Sequence, residues 1–303
     1  MTDLHRLLGD RLLRDEPLAR YTAARLGGPA EWLYVARGPL DELARVAEAA
    51  WAAGLPLRVL GGGSNVLVSE RGVRGLVVIN HAESVEFGEW HGGRRVAAAS
   101  GTGLVALARR CQRRGLAGLE WAVSVPGTVG GAVVNNAGAH GGDIAASLRD
   151  AVVLEPDGPR LLAPADMAYA YRHSSLKARA DRRFVVLLAQ FALAADDPAA
   201  IQARMDDYSA RRKQTQPPGA SLGSIFKNPP GDYAGRLIEA AGLKGFQIGG
   251  AQVARLHANF FINSGGAATA SDYYALVEHV RAVVAQKTGV VLEPEIELVG
   301  DWF

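Results

Sequence analysis

The sequence predicts an α+β fold, and three observations support this fold class. Residues 40–53, LDELARVAEAAWAA, have apolar side chains at helical spacing, acids in the first turn and Gly54 just after the end, which indicates a helix. Residues 184–195, FVVLLAQFALAA, are rich in strand formers and too short to cross a bilayer, which favours a buried strand. Helices and strands recur on both sides of residue 207, where the character of the sequence changes, so more than one α+β domain is expected.

The remaining segments extend this pattern. RRVAAASGTG leads into LVALARRCQRRGL, which predicts a strand that enters a helix through glycines, with the helix ending near Gly115. AVVLEP predicts a strand, residues 197–213 a connecting helix, and YAGRLIEAAGLKG a short helix. Ser271 is the expected N-cap of a longer helix. One face of that helix carries Leu276, Val280, Val283 and Val284. The final VVLEPEIELVG alternates like a strand.

Charge and cysteine content exclude several classes of protein. The 303 residues carry 33 Lys and Arg against 31 acids, a net charge of +2, which gives no bulk attraction to nucleic acid or to an anionic membrane. Cys111 is the single cysteine, so a disulfide is excluded and a reducing, cytoplasmic location is expected. The N-terminus resembles neither a secretory signal nor a membrane span. The seven histidines, His91 among them, show no metal-ligand spacing, so no metal is expected.

Three glycine-rich segments could hold phosphate or lie along a ligand. GGGSN at 61–65 follows a strand, and glycines there let backbone N–H groups converge on an anion; a plain turn between strands is the alternative. GTGLVA at 101–106 matches the dinucleotide pattern, with Glu120 near the distance expected of a ribose-binding acid, but too little chain follows for a second strand. Residues 121–143 form a long glycine-rich loop that would suit a large planar ligand.

Three polar residues could face one substrate, although spacing alone does not bring them together. Arg172 can bind a carboxylate or phosphate in a fork; a structural salt bridge is the alternative. Ser224 follows Gly223, which leaves its hydroxyl accessible; a turn is the alternative, and the second glycine of an acyl-transfer motif is missing. Glu295 lies in LEPEIEL on the same face of the expected strand as its neighbouring glutamates, and could equally be a solvated strand residue.

Together the motifs resemble those of one enzyme family. RLGGPAEWL, GGGSNVLVS, GLEWAVSVPGTVGGAVVNNAGAHGGD, YRHSSLK, SLGSIFKNP, AGRLIEAAGLKGFQIGGAQVARLHANFFIN and LEPEIELVG occur in the order seen in the UDP-N-acetylenolpyruvoylglucosamine reductase (MurB) family, from about residue 21 to 300. The resemblance implies the vanillyl-alcohol-oxidase (PCMH) type of FAD-binding fold. Its two α+β subdomains would span residues 1–83 and 84–206, followed by a C-terminal α+β substrate domain at 207–303 whose last strand returns toward the active site.

The same resemblance implies the cofactor and the reaction. FAD would be bound non-covalently, since GGGSN contains no His or Cys to attach it. NADPH would reduce the flavin, and flavin N5 would pass hydride to C3 of the enolpyruvyl ether of UDP-N-acetylglucosamine, giving UDP-N-acetylmuramate for peptidoglycan synthesis. The residues implied to contact FAD are Gly61, Gly62, Gly63, Ser64, Asn65, Ser100, Gly101, Pro126, Gly127, Thr128, Gly130, Gly131 and Ala132. The pattern at 101–106 thereby becomes part of the FAD site rather than a dinucleotide motif of its own.

The resemblance also implies roles at the substrate. Ser224 matches the serine that gives a proton to C2, and Arg172 with Glu295 matches the pair that polarises the substrate carboxylate, Glu295 holding or sharing a proton. The remaining implied substrate contacts are Tyr171, Lys213, Lys227 and Asn228.

Two features depart from the commonest family pattern. His140 stands where the family often has Tyr, and the segment after YRHSS is too short for the additional substrate-capping loop of one subclass. A monomer is expected. A flavin-dependent oxidase of the same fold and a non-catalytic sugar-nucleotide-binding relative are the alternatives.

Overall fold

The computed structural model describes residues 1–90 and 93–302, so predictions that concern His91 and the last residue fall outside the described residues. The chain forms two compact units, each built from several segments. The first unit contains Met1–Leu13, Leu33–Gly62 and Gly75–Arg212. The second contains Arg14–Trp32, Gly63–Arg74 and Lys213–Phe303. The predicted domain boundaries at 83/84 and 206/207 stay a prediction.

The described residues contain α-helices and strands in a mixed order. The helices are α1 (Thr2–Leu8), α2 (Leu40–Ala52), α3 (Leu104–Gln112), α4 (Val129–Asn135), α5 (Ile144–Ser147), α6 (Ser175–Ala178), α7 (Pro198–Thr215), α8 (Ala234–Ala240) and α9 (Ala270–Thr288). Short 3-10 helices cover Gly9–Arg11, Leu18–Tyr21, Glu120–Ser124 and Ser264–Gly266. The helices predicted near 40–53, before Gly115, at 197–213, in YAGRLIEAAGLKG and near 271–289 are therefore confirmed.

The strands are short except for a few in the first unit. They are β1 (Leu13–Pro17), β2 (Pro29–Ala36), β3 (Leu57–Leu60), β4 (Val66–Val68), β5 (Val73–Asn80), β6 (Val85–Trp90), β7 (Gly93–Ala99), β8 (Leu116–Ala117), β9 (Gly138–Ala139), β10 (Gly142–Asp143), β11 (Leu148–Glu155), β12 (Gly158–Leu162), β13 (Val185–Ala195), β14 (Ser221–Ser224), β15 (Gln247–Ile248), β16 (Ala251–Val253), β17 (Phe260–Asn263) and β18 (Glu297–Val299). The strands predicted at AVVLEP and at 184–195 are confirmed as β11 and β13.

The first unit is organised around an antiparallel sheet. Its strand order is β12-β11-β13-β7-β6, and β8 also pairs with β13. The central strand β13 supplies Ala189 and Phe191, both fully buried, to a core that also contains buried side chains of α3 and α4. In the same unit β3 and β5 pair in parallel, with Leu60 opposite Ile79. This pairing fixes the end of β3, where the GGGSN segment begins.

The second unit has its own sheet and its own core. The strand order is β14-β17-β16-β15, and β18 pairs in parallel with β4. The buried face of α9 contributes Leu276, Val280 and Val284, as its spacing predicts, while Val283 is only partly buried. Burial of these side chains, together with Phe226 and Phe261, supplies the main favourable free energy that holds this unit together.

Residues 121–143 are more ordered than the sequence predicts. Instead of one long loop, they form a 3-10 helix, the helix α4 and the hairpin β9–β10. Two glycines early in α4 interrupt the helical pattern of the sequence. They also oppose helix formation, because each glycine costs about 1 kcal/mol relative to alanine in a helix. Burial of Val129, Ala132 and Val133 holds the helix in spite of this cost.

Two predictions near the C-terminus are wrong in detail. Helix α9 starts after Thr269, whose side chain accepts a hydrogen bond from Asp272 N while the Asp272 carboxylate accepts one from Thr269 N, so Thr269 and not Ser271 is the N-cap. The final strand is shorter than VVLEPEIELVG suggests, since regular pairing covers only β18 and a single bridge joins Pro294 to Phe226. Proline lacks the N–H that a continuous ladder requires.

No described helix combines the length and the apolar character that a membrane span requires. Within residues 1–90 and 93–302, no three His, Cys, Asp or Glu side chains gather as ligands of a metal ion would.

The capping box of α9 gives a direct test of the helix boundary. Thr269→Ala is expected to lower the free energy of unfolding by about 1 kcal/mol, because it removes the acceptor for an otherwise unpaired N–H group. Ser271→Ala is the matched control; its hydroxyl donates to the exposed Glu70 Oε2 at 2.5 Å, and we expect a change below about 0.5 kcal/mol. Urea denaturation of both variants checks this, and a larger loss in Ser271→Ala would restore Ser271 as the cap.

Candidate active site

Two of the predicted glycine-rich segments are joined by backbone hydrogen bonds in the first unit. Leu104 N donates to Gly127 O at 3.0 Å, and Gly130 N donates to Ser100 O at 2.8 Å. An isolated bridge also pairs Gly103 with Thr128. The residues at the start of α3 and at the start of α4 therefore lie side by side.

The first glycine-rich segment packs against the third at backbone distance. A Cβ atom on Gly61 would lie 2.2 Å from Thr128 Oγ1, and one on Gly62 would lie 3.2 Å from Gly127 Cα. Likewise, a Cβ atom on Gly130 would lie 2.9 Å from the Cβ of Ser100. Side chains at these glycines would push the segments apart, so the glycines create a cradle lined by peptide groups. We call Gly61–Gly62, Ser100–Gly103 and Gly127–Gly131 the glycine cradle.

Two asparagines that the sequence did not single out belong to this cradle. Asn80 is buried at the end of β5; its Nδ2 donates to Ser100 Oγ at 2.8 Å, and its Oδ1 accepts from Ala82 N. At the end of α4, Asn135 Nδ2 donates to Gly131 O at 2.9 Å. Its Oδ1 is buried and has no hydrogen-bond partner within the described part of the chain, which leaves an acceptor for a ligand N–H. Asn80 is a single asparagine without a motif, so pattern reading could not find it, whereas Asn135 lies in the glycine-rich segment 121–143 that the sequence had marked.

The dinucleotide pattern at 101–106 lies between a strand and a helix, as predicted, but its surroundings differ from a dinucleotide fold. The next strand, β8, has two residues and pairs antiparallel with β13. The carboxylate of Glu120 accepts hydrogen bonds from Arg204 Nη2 and from Gly118 N, both at 2.7 Å. Glu120 is therefore a structural ion-pair residue, which contradicts the dinucleotide alternative that the sequence analysis had set aside for residues 101–106.

The second part of GGGSN lies in the second unit. Gly63 has a φ of 59°, and a Cβ atom there would lie 2.2 Å from Tyr21 O, so only glycine fits without strain. Asn65 binds the last segment of the chain, because its Nδ2 donates to Glu295 O at 3.2 Å and its backbone O accepts from Glu297 N at 2.9 Å. These contacts start the parallel pairing of β18 with β4.

Ser224 and Glu295, which are far apart in the sequence, lie on adjacent backbone segments of the second unit. Ser224 ends β14 opposite Phe260, and the next residue, Ile225, accepts a hydrogen bond through its O from Glu295 N at 2.8 Å. Gly223, with a φ of 77°, has open space where a side chain would project. The structure therefore brings these two predicted site residues together.

A buried amide fixes the segment that carries Ser224. Asn259 Oδ1 accepts from Phe226 N at 3.0 Å, and Asn259 Nδ2 donates to Phe226 O at 2.8 Å. Phe226 and Asn259 are both buried. Without these hydrogen bonds, each buried backbone group of Phe226 would lack a partner, which would cost about 1–3 kcal/mol. Asn259 is a positioning residue that the sequence did not reveal.

The predicted lysine and asparagine contacts have partners within the protein. Lys227 Nζ lies 2.6 Å from Glu293 Oε1, and Lys227 N donates to Glu293 O. Asn228 Oδ1 accepts from Ala234 N at 3.1 Å, at the beginning of α8. Lys213 is exposed near the end of α7. Lys227 and Asn228 thus lie three and four residues after Ser224 in the chain, next to the bridge that joins Phe226 to Pro294.

Arg172 belongs to the first unit, where it binds the hairpin that follows α4. Its Nη2 donates to Gly138 O at 2.6 Å, and its guanidinium lies 5.3 Å from the ring centre of the exposed Tyr171. Its φ of 55° is unusual for a residue with a side chain. Asn136, also with a positive φ, donates to Ala170 O at 3.1 Å and so ties the hairpin to this turn. The joining of Arg172 with Ser224 and Glu295 stays a proposal.

His140, at the tip of the same hairpin, does make an aromatic contact. Its ring stacks on Tyr208 with a centroid distance of 4.4 Å and an interplanar angle of 4°. Its Nε2 lies 3.3 Å from Ser124 Oγ. The substitution of His for the common Tyr therefore keeps a ring at this position.

Comparison with known proteins agrees with this geometry. Residues 33–160 match the family model described as FAD binding domain, and residues 214–299 match that of UDP-N-acetylenolpyruvoylglucosamine reductase, C-terminal domain. The chain is 45% identical over 299 residues to UDP-N-acetylenolpyruvoylglucosamine reductase 2 of Symbiobacterium thermophilum, covering 97% of this chain and 94% of the relative. It is 43% identical over 294 residues to the reductase of Levilactobacillus brevis, covering 96% and 94%.

A solved structure supports the predicted fold class. The crystal structure of UDP-N-acetylenolpyruvylglucosamine reductase (MurB) from Thermus caldophilus superposes with a TM-score of 0.80 at 34% identity, covering 95% of this chain and 99% of that one. Together with the match to the FAD-binding model, this confirms the FAD-binding α+β fold with a C-terminal α+β domain. Nearly the whole chain is covered at an identity well above the level at which folds and families are shared. The chain therefore belongs to the UDP-N-acetylenolpyruvoylglucosamine reductase family.

Proposed function

We propose that this chain catalyses the FAD-dependent reduction of UDP-N-acetylglucosamine enolpyruvate to UDP-N-acetylmuramate, with NADPH as the hydride donor. The observation that carries the proposal is the adjacency of Ser224 and Glu295 within the part of the chain that matches the family's C-terminal domain. An enolpyruvyl ether gains a hydride and a proton in this reaction. The protein must therefore provide a cofactor site, a site for the substrate carboxylate and a proton donor.

The residues of the glycine cradle fit FAD. Because Gly61, Gly62 and Gly130 present no Cβ, its three segments pack closely, and this gathers peptide groups that a diphosphate and a flat ring system could approach. The buried Asn135 Oδ1 offers an acceptor that a ligand N–H would satisfy. The implied FAD contacts remain as proposed from the sequence: Gly61, Gly62, Gly63, Ser64, Asn65, Ser100, Gly101, Pro126, Gly127, Thr128, Gly130, Gly131 and Ala132. Bound FAD would take up hydride from NADPH and supply it to the substrate.

The protein side of the chemistry concerns the charge that develops on the substrate. Addition of hydride at C3 leaves negative charge at C2, delocalised onto the carboxylate, and stabilising this charge lowers the barrier. In our proposal the guanidinium of Arg172 binds the carboxylate, with Tyr171 beside it. Glu295, holding a proton, donates a hydrogen bond to the same group, because an ionised glutamate would repel it.

Ser224 then gives its hydroxyl proton to C2. A serine hydroxyl is a weak acid, so this transfer requires a strongly basic carbon centre and a fixed donor. The fixed position is supported by the Asn259 clamp on Phe226 and by the hydrogen bond from Glu295 N to Ile225 O. Gly223 leaves the hydroxyl open to a ligand.

The contacts to the UDP moiety follow from the same arrangement. Lys227 and Asn228, close after Ser224, bind the diphosphate or the sugar, and Lys213 adds a further positive charge. Lys227 would exchange its ion pair with Glu293 for the ligand, which costs little because the Glu293 side chain is 69% exposed.

The organisation of the chain is proposed on the same basis. FAD-binding subdomains at 1–83 and 84–206 precede a substrate domain at 207–303. The two family matches, at 33–160 and 214–299, support the boundary near 207. We propose a monomer in the cytoplasm. The single free cysteine suits a reducing compartment, and the cytoplasm also suits a sugar-nucleotide substrate.

The first test is a visible spectrum of the purified protein. We expect a yellow protein that NADPH bleaches without oxygen and that the enolpyruvyl sugar nucleotide restores. All flavin should be released on denaturation, since no covalent attachment is proposed. A protein that cannot be loaded with flavin would refute the function. Rapid reoxidation by oxygen without the sugar nucleotide would instead favour an oxidase.

The proton donor is tested with Ser224→Ala. Bleaching by NADPH should be preserved, while turnover of the enolpyruvyl sugar nucleotide falls by about 10²–10⁴, the usual contribution of a positioned acid. Ser221→Ala, on the same strand and paired with Ile262, is the matched control and should keep its activity. Equal turnover in Ser224→Ala and the wild type would remove Ser224 from the mechanism.

The glycine cradle is tested with Gly61→Ala. The added Cβ would overlap Thr128, so we expect a lower flavin-to-protein ratio and a loss of about 1–3 kcal/mol in the free energy of unfolding. Gly88→Ala is the control, because a Cβ there meets open space. If Gly61→Ala binds flavin as tightly as the control, the cradle is not the cofactor site.

A further inference from the structure

Asn259, which fixes the segment that carries Ser224, forms a hydrogen bond with each of its four polar atoms. Besides the two side-chain contacts with Phe226, its backbone O accepts from Ile225 N at 2.9 Å. The fourth atom, the backbone N, donates to Nδ1 of His257 at 3.2 Å. Asn259 is buried, so without the imidazole this N–H group would lose its acceptor inside the protein. Because the other three contacts hold the segment of Ser224, the contact with His257 steadies the residue that makes them.

The imidazole of His257 is itself held in place by its surroundings. Its ring lies edge-on to the ring of Phe260, with centroids 4.8 Å apart and an interplanar angle of 62°. The ring also lies against the start of α8, where a Cβ atom on Gly235 would lie 3.3 Å from its Cε1. The backbone O of His257 accepts from Phe260 N at 2.9 Å, which closes a turn around Asn259. Phe260 pairs with Ser224 in the sheet, so this turn adjoins the residue proposed as proton donor.

The hydrogen bond from Asn259 requires one protonation state of His257. An N–H group donates to Nδ1, so Nδ1 carries no proton and the proton of the neutral ring is on Nε2. A second proton, on Nδ1, would place two N–H groups against each other. Burial lowers the pKa of His257 and the charge of Lys244 lowers it further, while Glu239 acts in the opposite direction. These two charged groups, on α8 and in the turn after it, pair with each other at 2.7 Å. The ring is therefore neutral at neutral pH.

We propose that His257 is a positioning residue for Ser224, acting through Asn259 as a neutral acceptor whose proton is on Nε2. Asn259 then holds the backbone that follows Ser224, and the same backbone accepts the hydrogen bond from Glu295 N. The inference rests on the proposed function, in which Ser224 is the proton donor. Protonation of His257 would loosen the segment and slow proton transfer to C2, because a proton donor acts efficiently only from a fixed position.

Three substitutions separate the roles of the two ring nitrogens. In His257→Asn the side-chain oxygen reaches the region of Nδ1 and can accept from Asn259 N without titrating. In His257→Gln the amide reaches toward the region of Nε2 instead, and in His257→Phe the ring is kept without either nitrogen. Each protein is loaded with FAD and its flavin is reduced chemically at neutral pH without oxygen. Reoxidation by the enolpyruvyl sugar nucleotide is then followed by absorbance between about pH 5 and pH 8.

We expect the wild type to reoxidise more slowly as the pH falls through the pKa of His257, and His257→Asn to keep its neutral-pH rate. At neutral pH the rates of His257→Phe and His257→Gln should fall by about tenfold, as expected when one buried donor loses its acceptor. The loss should appear in the maximal rate and not in the substrate concentration that gives half of it. His279, whose ring stacks on Phe246 in the same unit, gives the matched control His279→Asn, which should follow the wild type.

The proposal fails if His257→Phe reoxidises as fast as the wild type. It also fails if the rate survives in His257→Gln and falls in His257→Asn, since Nε2 would then be the functional nitrogen. An acid loss in His257→Asn equal to that of the wild type would assign the pH dependence to another group and overturn the role of the neutral ring.

A second measurement does not depend on activity. The nitrogen chemical shifts of the imidazole, measured by NMR at neutral pH, report which ring nitrogen carries the proton, and His257→Asn identifies the signals. We expect the form with the proton on Nε2. A proton on Nδ1, alone or together with one on Nε2, would contradict the proposal. Absence of reoxidation in the wild type would instead refute the proposed function, so the two failures are distinguishable.

Discussion

The close approach of the Gly61 backbone to the Thr128 side chain is the constraint on which the glycine cradle depends. Since no Cβ separates them, the end of β3 lies directly against the start of α4. Helix α4 in turn positions Asn136, which ties the following hairpin to the turn before Arg172. The glycine cradle, the hairpin β9–β10 and Arg172 are therefore connected by one short series of contacts.

In the second unit, hydrogen bonds bring together segments that are far apart in the chain. Two amide side chains do this. Asn65 Nδ2 donates to Glu295 O, while the Asn65 backbone O accepts from Glu297 N; the Asn259 side chain binds both backbone groups of Phe226. Buried amides suit this role because each has a donor and an acceptor and so matches a peptide group. Backbone hydrogen bonds, among them the one from Glu295 N to Ile225 O, thus hold the segments of Ser224 and Glu295 side by side.

Sequence patterns predicted the elements whose burial has a regular period. Strand β13 and helix α9 are such cases, because long apolar runs and one-sided apolar spacing reflect burial directly. Helix α4 was missed because its two glycines mask its period, and its stability comes from tertiary packing. The partner of Glu120 could not be predicted, because an acid at a suitable distance looks the same in the sequence whether it binds ribose or Arg204. Ser224 and Glu295 could be joined only through family resemblance, because their adjacency depends on hydrogen bonds across about seventy residues of chain.

Backbone strain is concentrated at the hairpin that carries His140. Asn136, His140 and Arg172 all have positive φ, and hydrogen bonds connect Asn136 and Arg172 to the same turn. Each such residue costs about 1–3 kcal/mol and persists only where its surroundings hold it. A purely structural hairpin could use glycine at these positions, as it does at Gly141. Here the side chains themselves hold the strained positions: the Arg172 guanidinium donates to Gly138 O, and the His140 ring stacks on Tyr208, so the direction of both groups is fixed by contacts within the first unit.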